Sequence, residues 1–387
     1  MSIKPLSHFA LKMLLFVLAA ILLFSNITSS AQRKPRQRTA PAQPKSTPKP
    51  KATPIPGTLE ALGAPPPVPT LKRQEPPKEV APGDVISVET TEVMIPVTVR
   101  DSSGRLVSNL TRTNFEVFED GRQQPLSDLA LRQVPVDVVL MVDSSSSVAK
   151  NLDDFRRAAE AFAAKLRNDD RLSLIKFDDR VQLLQDWTTS RYQLKRALSR
   201  IEAGMFTRFN DALTLAATDQ FTNTKSRRAI IVLSDGIDSG RGASTLEAAL
   251  QALLRAQVAV YVISNTEISR ANKRSELDSL LGGTDSSIRF NQLRIEDLRE
   301  GLRVLDLSEQ NLNQLTAATG GRLYKPKSFA DLDETYAEVA DELRNQYAIY
   351  YAPINRARDG SFRRVRVQMT DPALKALTRV GYFAPKG

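Results

Sequence analysis

Residues 136–147 read VDVVLMVDSSSS, a run that is apolar but for Asp137 and then turns abruptly polar. Near-continuous apolar runs return at Ala229–Leu233 (AIIVL) and Val258–Ile263 (VAVYVI). Such runs mark parallel strands covered on both faces. Helical patterns lie between and after them. In Asp153–Arg167, the residues Phe155, Ala158, Ala159, Phe162 and Leu166 fall on one stripe. Ser244-Thr245-Leu246-Glu247 has the form of a capping box opening a helix to about Ala256. Asn311–Thr319 and Ala330–Arg344 supply two more helices, the first stopped by Gly320-Gly321. Strands alternating with helices from Pro135 to about Asn345 predict an α/β fold with a doubly wound, mainly parallel sheet. Residues 266–308 fit this rhythm poorly and read as a partly helical insertion.

On either side of this middle the period changes from helix to strand. Glu92–Arg100 (EVMIPVTVR) puts Val93, Ile95, Val97 and Val99 on one face, and Asn114–Glu119 (NFEVFE) runs into the hairpin signal Asp120-Gly121. Period-two strands recur only at the far end, in Gln346–Tyr351, Arg364–Met369 and Thr378–Phe383. Neither flank has enough strands to close a sheet pair alone. The expectation is a small β-sandwich built from both flanks, 83–134 and 346–387, with the 135–345 domain inserted between them.

Composition narrows the chemistry. The 387 residues contain no cysteine and one histidine, His8. This excludes disulfide scaffolds, thiolate zinc sites and thiol nucleophiles, and outside the leader it excludes every imidazole-dependent triad or zinc motif. A metal here has to be held by oxygen, which favours a hard cation. The net charge of +10 is concentrated at the front: residues 1–31 carry +2, residues 32–78 carry +8, and the rest is neutral. A neutral folded part argues against a nucleic-acid partner.

Residues 1–31 read as a secretory signal, with Lys4 and Lys12 ahead of the apolar run Met13–Phe24 and small residues at Ser29-Ser30-Ala31. An uncleaved N-terminal anchor is the competing reading. Both place the remainder outside the cytoplasm, in a periplasm, cell envelope or extracellular space. Residues 32–82 hold 14 of the 22 prolines, a composition that favours extended polyproline II over a folded core. At about 3.1 Å per residue such a linker reaches on the order of 150 Å. It serves either as a spacer or as a cationic strap tethering the protein to a membrane or cell wall.

In an open α/β sheet the ligand lies beyond the carboxyl ends of the strands, near the topological switch point. The first parallel strand ends in Asp143-Ser144-Ser145-Ser146-Ser147, another ends in Ser234-Asp235-Gly236, and between them comes the glycine-led loop Gly204–Ala212 (GMFTRFNDA). The two-residue repeat of an extended segment sets Asp143, Ser145 and Ser147 side by side. Carboxylates and hydroxyls then converge at one sheet edge, with no lysine or histidine in the pattern to neutralise them. Magnesium suits this oxygen set, and neutral hydroxyl ligands leave it positive charge with which to attract an outside carboxylate.

These three pieces resemble the metal-ion-dependent adhesion site of von Willebrand factor type A domains. Asp143, Ser145 and Ser147 match the family's D-x-S-x-S motif, Thr207 matches its loop threonine in T-x-x-x-D-A, and Asp235 matches the acid of its S/T-D-G motif. The flanks, through Asn114–Gly121, Thr319–Tyr324, Arg344–Tyr351 and Arg379–Tyr382, resemble exported bacterial proteins with a related domain. The resemblance implies a Rossmann-like fold and a divalent ion, Mg²⁺ or Mn²⁺ or Ca²⁺, held by Asp143, Ser145, Ser147, Thr207 and Asp235. It implies a protein ligand that presents Asp or Glu, and a binding module in place of an enzyme. Asp211 either supports the ligand residues through the loop or is a first-turn acid favoured by the helix dipole. Phe206 and Phe209 form either a rim for the partner or part of the core. Two other functions fit less of the pattern. One is an architectural envelope protein. The other is a Mg²⁺-dependent aspartate-nucleophile phosphatase, which needs D-x-D where position 145 is serine.

Overall fold

The computed structural model describes residues 92–131, 134–146, 151–221 and 226–386. The leader 1–31, the linker 32–82 and Ser147 lie outside the described residues. No helix among those described is long and apolar enough to cross a membrane.

The first flank forms β1 (Val93–Arg100), β2 (Phe115–Glu119), β3 (Arg122–Gln124) and β4 (Leu126–Leu131). The middle of the chain follows with β5 (Val136–Asp143), α1 (Leu152–Lys165), β6 (Arg171–Phe177), β7 (Val181–Thr188), α2 (Arg191–Leu198), α3 (Phe209–Leu215) and β8 (Arg227–Leu233). It continues through α4 (Leu246–Ala256), β9 (Ala259–Ile263), α5 (Thr266–Leu281), α6 (Asp285–Phe290), α7 (Gln292–Thr319), β10 (Leu323–Tyr324) and α8 (Leu332–Arg344). The second flank is β11 (Tyr347–Tyr351), β12 (Phe362–Met369), β13 (Lys375–Leu377) and β14 (Gly381–Phe383).

The middle is a six-stranded sheet in the order β10-β9-β8-β5-β6-β7, parallel except for β7 against β6. All eight residues of β5 are buried, because helices cover both faces. On one face Phe155, Phe162, Tyr336 and Val339 of α1 and α8 pack on Val138, Leu140 and Val142. On the other, Phe209 and Leu213 of α3, Leu253 of α4 and Leu312 and Leu315 of α7 pack on Val139, Met141 and Val232. Each large side chain buried in this way contributes about 2 kcal/mol. The chain steps from β5 outward to β6 on one side and to β8 on the other, which makes the β5–β8 edge the switch point.

The flanks pair as expected. One sheet runs β13-β1-β11-β4 and the other β14-β12-β2-β3, so each sheet mixes strands from both ends of the chain. Val93, Ile95, Val97 and Val99 of β1, with Tyr347 and Ile349 of the neighbouring β11, share a core with Phe115 and Val117 of the other sheet. Inside it the buried Glu119 carboxylate accepts from the Tyr351 and Tyr382 hydroxyls at 2.7 and 2.8 Å. Its partners are satisfied, so the charge is tolerated. A single buried guanidinium fastens both crossings between sandwich and sheet: Arg227 donates to Val134 O at 3.0 Å, Leu343 O at 2.7 Å and Gln346 Oε1 at 3.4 Å.

Three local expectations are corrected. The 266–308 stretch is almost wholly helical: α5, α6 and the first half of the 28-residue α7 form a hairpin, and the helix expected at 311–319 is only its end. The N-cap of α4 is Thr245, which accepts from Ala248 N, one residue later than the Ser244 capping box. Of the strand read at 378–383 only Gly381–Phe383 (β14) joins a sheet, and a separate short strand, β13, precedes it at Lys375–Leu377.

Candidate metal centre

Asp143 ends β5 beside the last residues of β8, since Val142 pairs with Leu233. The next residue of that neighbouring strand, Ser234, donates its hydroxyl to Asp143 Oδ2 at 2.7 Å. The Ser145 amide donates to Oδ1 at 2.9 Å. Asp143 is 0% exposed, Ser145 is buried and Asp235 is 7% exposed. Two carboxylates therefore occupy one water-poor edge, and neither forms a salt bridge among the described residues.

Their acidities follow from that setting. Burial raises the Asp143 carboxyl above its ordinary range, with the Ser234 and Ser145 hydrogen bonds opposing part of the rise. Burial, and after it the charge of Asp143, pushes Asp235 up to about 7.

The loop carrying Thr207 is tied to this edge at several points. Gly204 N donates to Ser144 O at 2.8 Å. A side chain at 204 has no room, because its Cβ would lie 2.6 Å from the Asp178 side chain. Asp178 in turn accepts from the Ser144 hydroxyl at 2.9 Å and pairs with Lys176 at 2.7 Å. Burial works against its ionised form, but the bonds from Lys176, the Arg180 amide and Ser144 outweigh it and hold the carboxyl below its usual range. Asp179 accepts from the amides of Met205 (3.1 Å) and Phe206 (3.2 Å). Thr207 is buried, its amide donates to Ser239 Oγ at 2.9 Å, and Ser239 N donates back to Thr207 O at 2.9 Å. That reciprocal pair joins the Thr207 loop to the loop after Asp235.

The second loop has its own supports. Gly236 has φ of +72°, and a Cβ there would meet the Leu312 side chain of α7 at 2.6 Å. Ser308 of α7 donates to Asp235 O. Asp238 accepts from Asn210 N at 2.9 Å, and Asp211 accepts from the amides of Ala243 (2.9 Å) and Ser244 (2.8 Å). Asp211 is in the first turn of α3 and also holds the segment that leads into α4. Capture of the Ser244 amide by Asp211 explains why the α4 cap falls on Thr245.

Of the residues expected at the site, Asp143, Ser145, Thr207 and Asp235 are brought to one sheet edge, while Ser147 is outside the described residues. Phe209 is not a rim residue: it is 1% exposed and packs on Phe177 at a 6.1 Å centroid distance. Phe206 is half-buried, with the Arg241 guanidinium 3.5 Å from its ring centroid. Asp178, Asp179 and Asp238 lie outside the motif pattern, yet they organise the loops. Their place in the segments that follow β6 and β8 is the signal that could have found them. The donor set of two carboxylates and hydroxyls, with one carboxyl raised to about 7 and no paired cation, suits a divalent ion.

Residues 138–238 match the family model of the von Willebrand factor type A domain. No curated protein is matched. Among solved structures, proximal thread matrix protein 1 from the mussel byssus is 13% identical with a TM-score of 0.41, over 58% of this chain and 51% of that one. The chain thus spans about half the length of the mussel protein, which has also been solved with a zinc-occupied MIDAS motif. BatB from Bacteroides thetaiotaomicron is 20% identical with a TM-score of 0.37, over 54% of this chain and 99% of that one. A von Willebrand factor type A protein from Catenulispora acidiphila is 13% identical with a TM-score of 0.41, over 72% and 75%.

Proposed function

We propose that the von Willebrand factor type A domain of this chain is a non-enzymatic binding module of an exported protein, which captures a partner's Asp or Glu through a divalent ion. Asp143, Ser145, Ser147, Thr207 and Asp235 would hold the ion, with Mg²⁺ the best fit to an all-oxygen set. The ion's uncompensated charge would attract the outside carboxylate. The observation that carries this reading is a pair of buried carboxylates at the switch point that form no salt bridge among the described residues. Asp143 is fully buried with both oxygens already hydrogen-bonded, which suits a held ligand residue and not an attacking nucleophile. Calorimetry with Mg²⁺ or Mn²⁺ tests the proposal. We expect one ion per chain, and Asp143→Ala or Asp235→Ala should weaken uptake by more than roughly 100-fold with the fold retained, beyond the effect of supporting residues alone. Protein capture from an envelope extract should disappear with chelator, and capture that persists unchanged would overturn the ion-bridged mechanism.

A further inference from the structure

The α5–α7 hairpin is held by a ladder of ion pairs with one rung that lacks its acid. At the base, Arg270 donates to Glu267, Asp306 and Glu309. Towards the tip, Arg294 donates to both oxygens of Glu276 at 2.6 and 2.8 Å. Lys273 lies between these rungs, about one turn from each. The position facing it on α7 is Gly301, where a Cβ would stand 2.9 Å from the lysine Nζ. The half-buried ammonium makes no ion pair or hydrogen bond among the described residues. Glu276, its neighbour along α5, is already committed to Arg294.

The empty rung overlooks the candidate metal centre. Gly301, Leu305 and Ser308 follow one face of α7 at i, i+4 and i+7, and Ser308 is the residue that donates to Asp235 O. At 1.5 Å rise per residue, Gly301 stands about 10 Å beyond that contact along the helix. Lys273 therefore places a positive charge on the wall above the site, and its field reaches Asp235.

Resting on the carboxylate-capture reading above, we infer that Lys273 is a second anion-recognising contact of the same site, so that the ligand is an acidic segment with two carboxylates, one for the ion and one for this ammonium. Side chains on one face of an extended chain recur every second residue, about 6.6 Å apart, so two acids two positions apart, with the added reach of their side chains, span this step. Glycine at 301 keeps the ammonium free for the ligand, where an acid like those of the adjacent rungs would neutralise it.

The test uses the full chain, Mg²⁺ and two immobilised Gly/Ser peptides: one with two aspartates two positions apart, the other with the second aspartate changed to asparagine. The two-acid peptide should bind at least about fivefold tighter, as expected for one added charged contact. Lys273→Gln should remove that factor, any change in Mg²⁺ uptake through the lost field at Asp235 falling on both peptides alike and cancelling from their ratio, and Lys273→Arg should restore most of it. Gly301→Asp, which fills the rung, should act like Lys273→Gln. Amine-reactive labelling of Lys273 should slow with the two-acid peptide only. Equal loss of both peptides in Lys273→Gln, or labelling indifferent to the peptide, overturns this inference alone. Retention of neither peptide, or retention that survives chelation, overturns the ion-bridged reading and this inference with it.

Discussion

Asp235 ionises about three pH units above its unfolded value, and this couples the metal centre to pH. Between pH 4 and 7 the unfolded chain has already released this proton while the folded protein still holds it. Protons bound in excess by the native state mean that stability of the metal-free protein falls as pH rises through that window and levels off above 7. A divalent ion needs the carboxylate, so its uptake has the opposite slope. Mg²⁺ affinity should be about tenfold weaker at pH 6 than at pH 8, because only the ionised fraction of a group titrating near 7 can bind. Calorimetry at the two values checks this, and Asp235→Asn should flatten the stability slope in this window and remove the uptake. The placement of Asp143 and Asp235 at one sheet edge is legible in the sequence because both stand just past strand ends, and that of Thr207 because a glycine-led loop enters a helix there. That of Lys273 is not, since its place beside the site depends on how a helical hairpin packs and on a glycine 28 residues away.

At the level of elements, strands β5, β8 and β9 could be read directly, since burial on both faces demands an unbroken apolar run. The hairpin of α5 and α7 could not. Half of it projects beyond the sheet, so its apolar stripe is thin, and interhelical ion pairs such as Arg270 with Asp306 and Glu309 stand in for core contacts. Loop anchoring was hidden for a related reason, because a carboxylate that binds amides 26 residues away leaves no periodic trace. Asp179 is such an anchor. Its two amide bonds fix the segment leading into Thr207, and the remaining support comes through Gly204 and Ser239. Asp179→Ala should therefore cost about 1–2 kcal/mol of stability and weaken Mg²⁺ uptake by roughly 10–100-fold, the usual effect of losing a supporting contact behind a ligand. Thermal unfolding and calorimetry on the same variant separate the two effects. A variant that loses stability but keeps its affinity would show that Thr207 is positioned by Ser239 alone.

Across the whole molecule the decisive feature is that both β-sheets of the sandwich draw strands from both flanks. β1 pairs with β11 and β13, and β2 pairs with β12, so neither flank possesses a sheet of its own. The inserted domain has the opposite property: its six strands and the helices on both faces come from one continuous stretch, 136–344. The two connections meet the domain where β5 begins and α8 ends, and Asp143 lies at the far end of the eight-residue β5, about 23 Å away at 3.3 Å per residue. The candidate metal centre thus lies at the edge of the sheet opposite these connections, and among the described residues the hydrogen bonds of its loops go to elements of the inserted domain. Ending the chain after Asn345 should strip β1 of both its partners and leave β2 only its hairpin partner β3, with the domain's own core intact. Hydrogen exchange should then show residues 93–131 losing protection and residues 136–344 keeping it, with Mg²⁺ uptake unchanged. Loss of Gln346 removes one of three Arg227 acceptors, so a drop in domain stability of about 1–2 kcal/mol is expected and does not count against the reading. Persistent protection of 93–131 would mean the first flank folds alone, and the inserted-domain architecture would have to be abandoned.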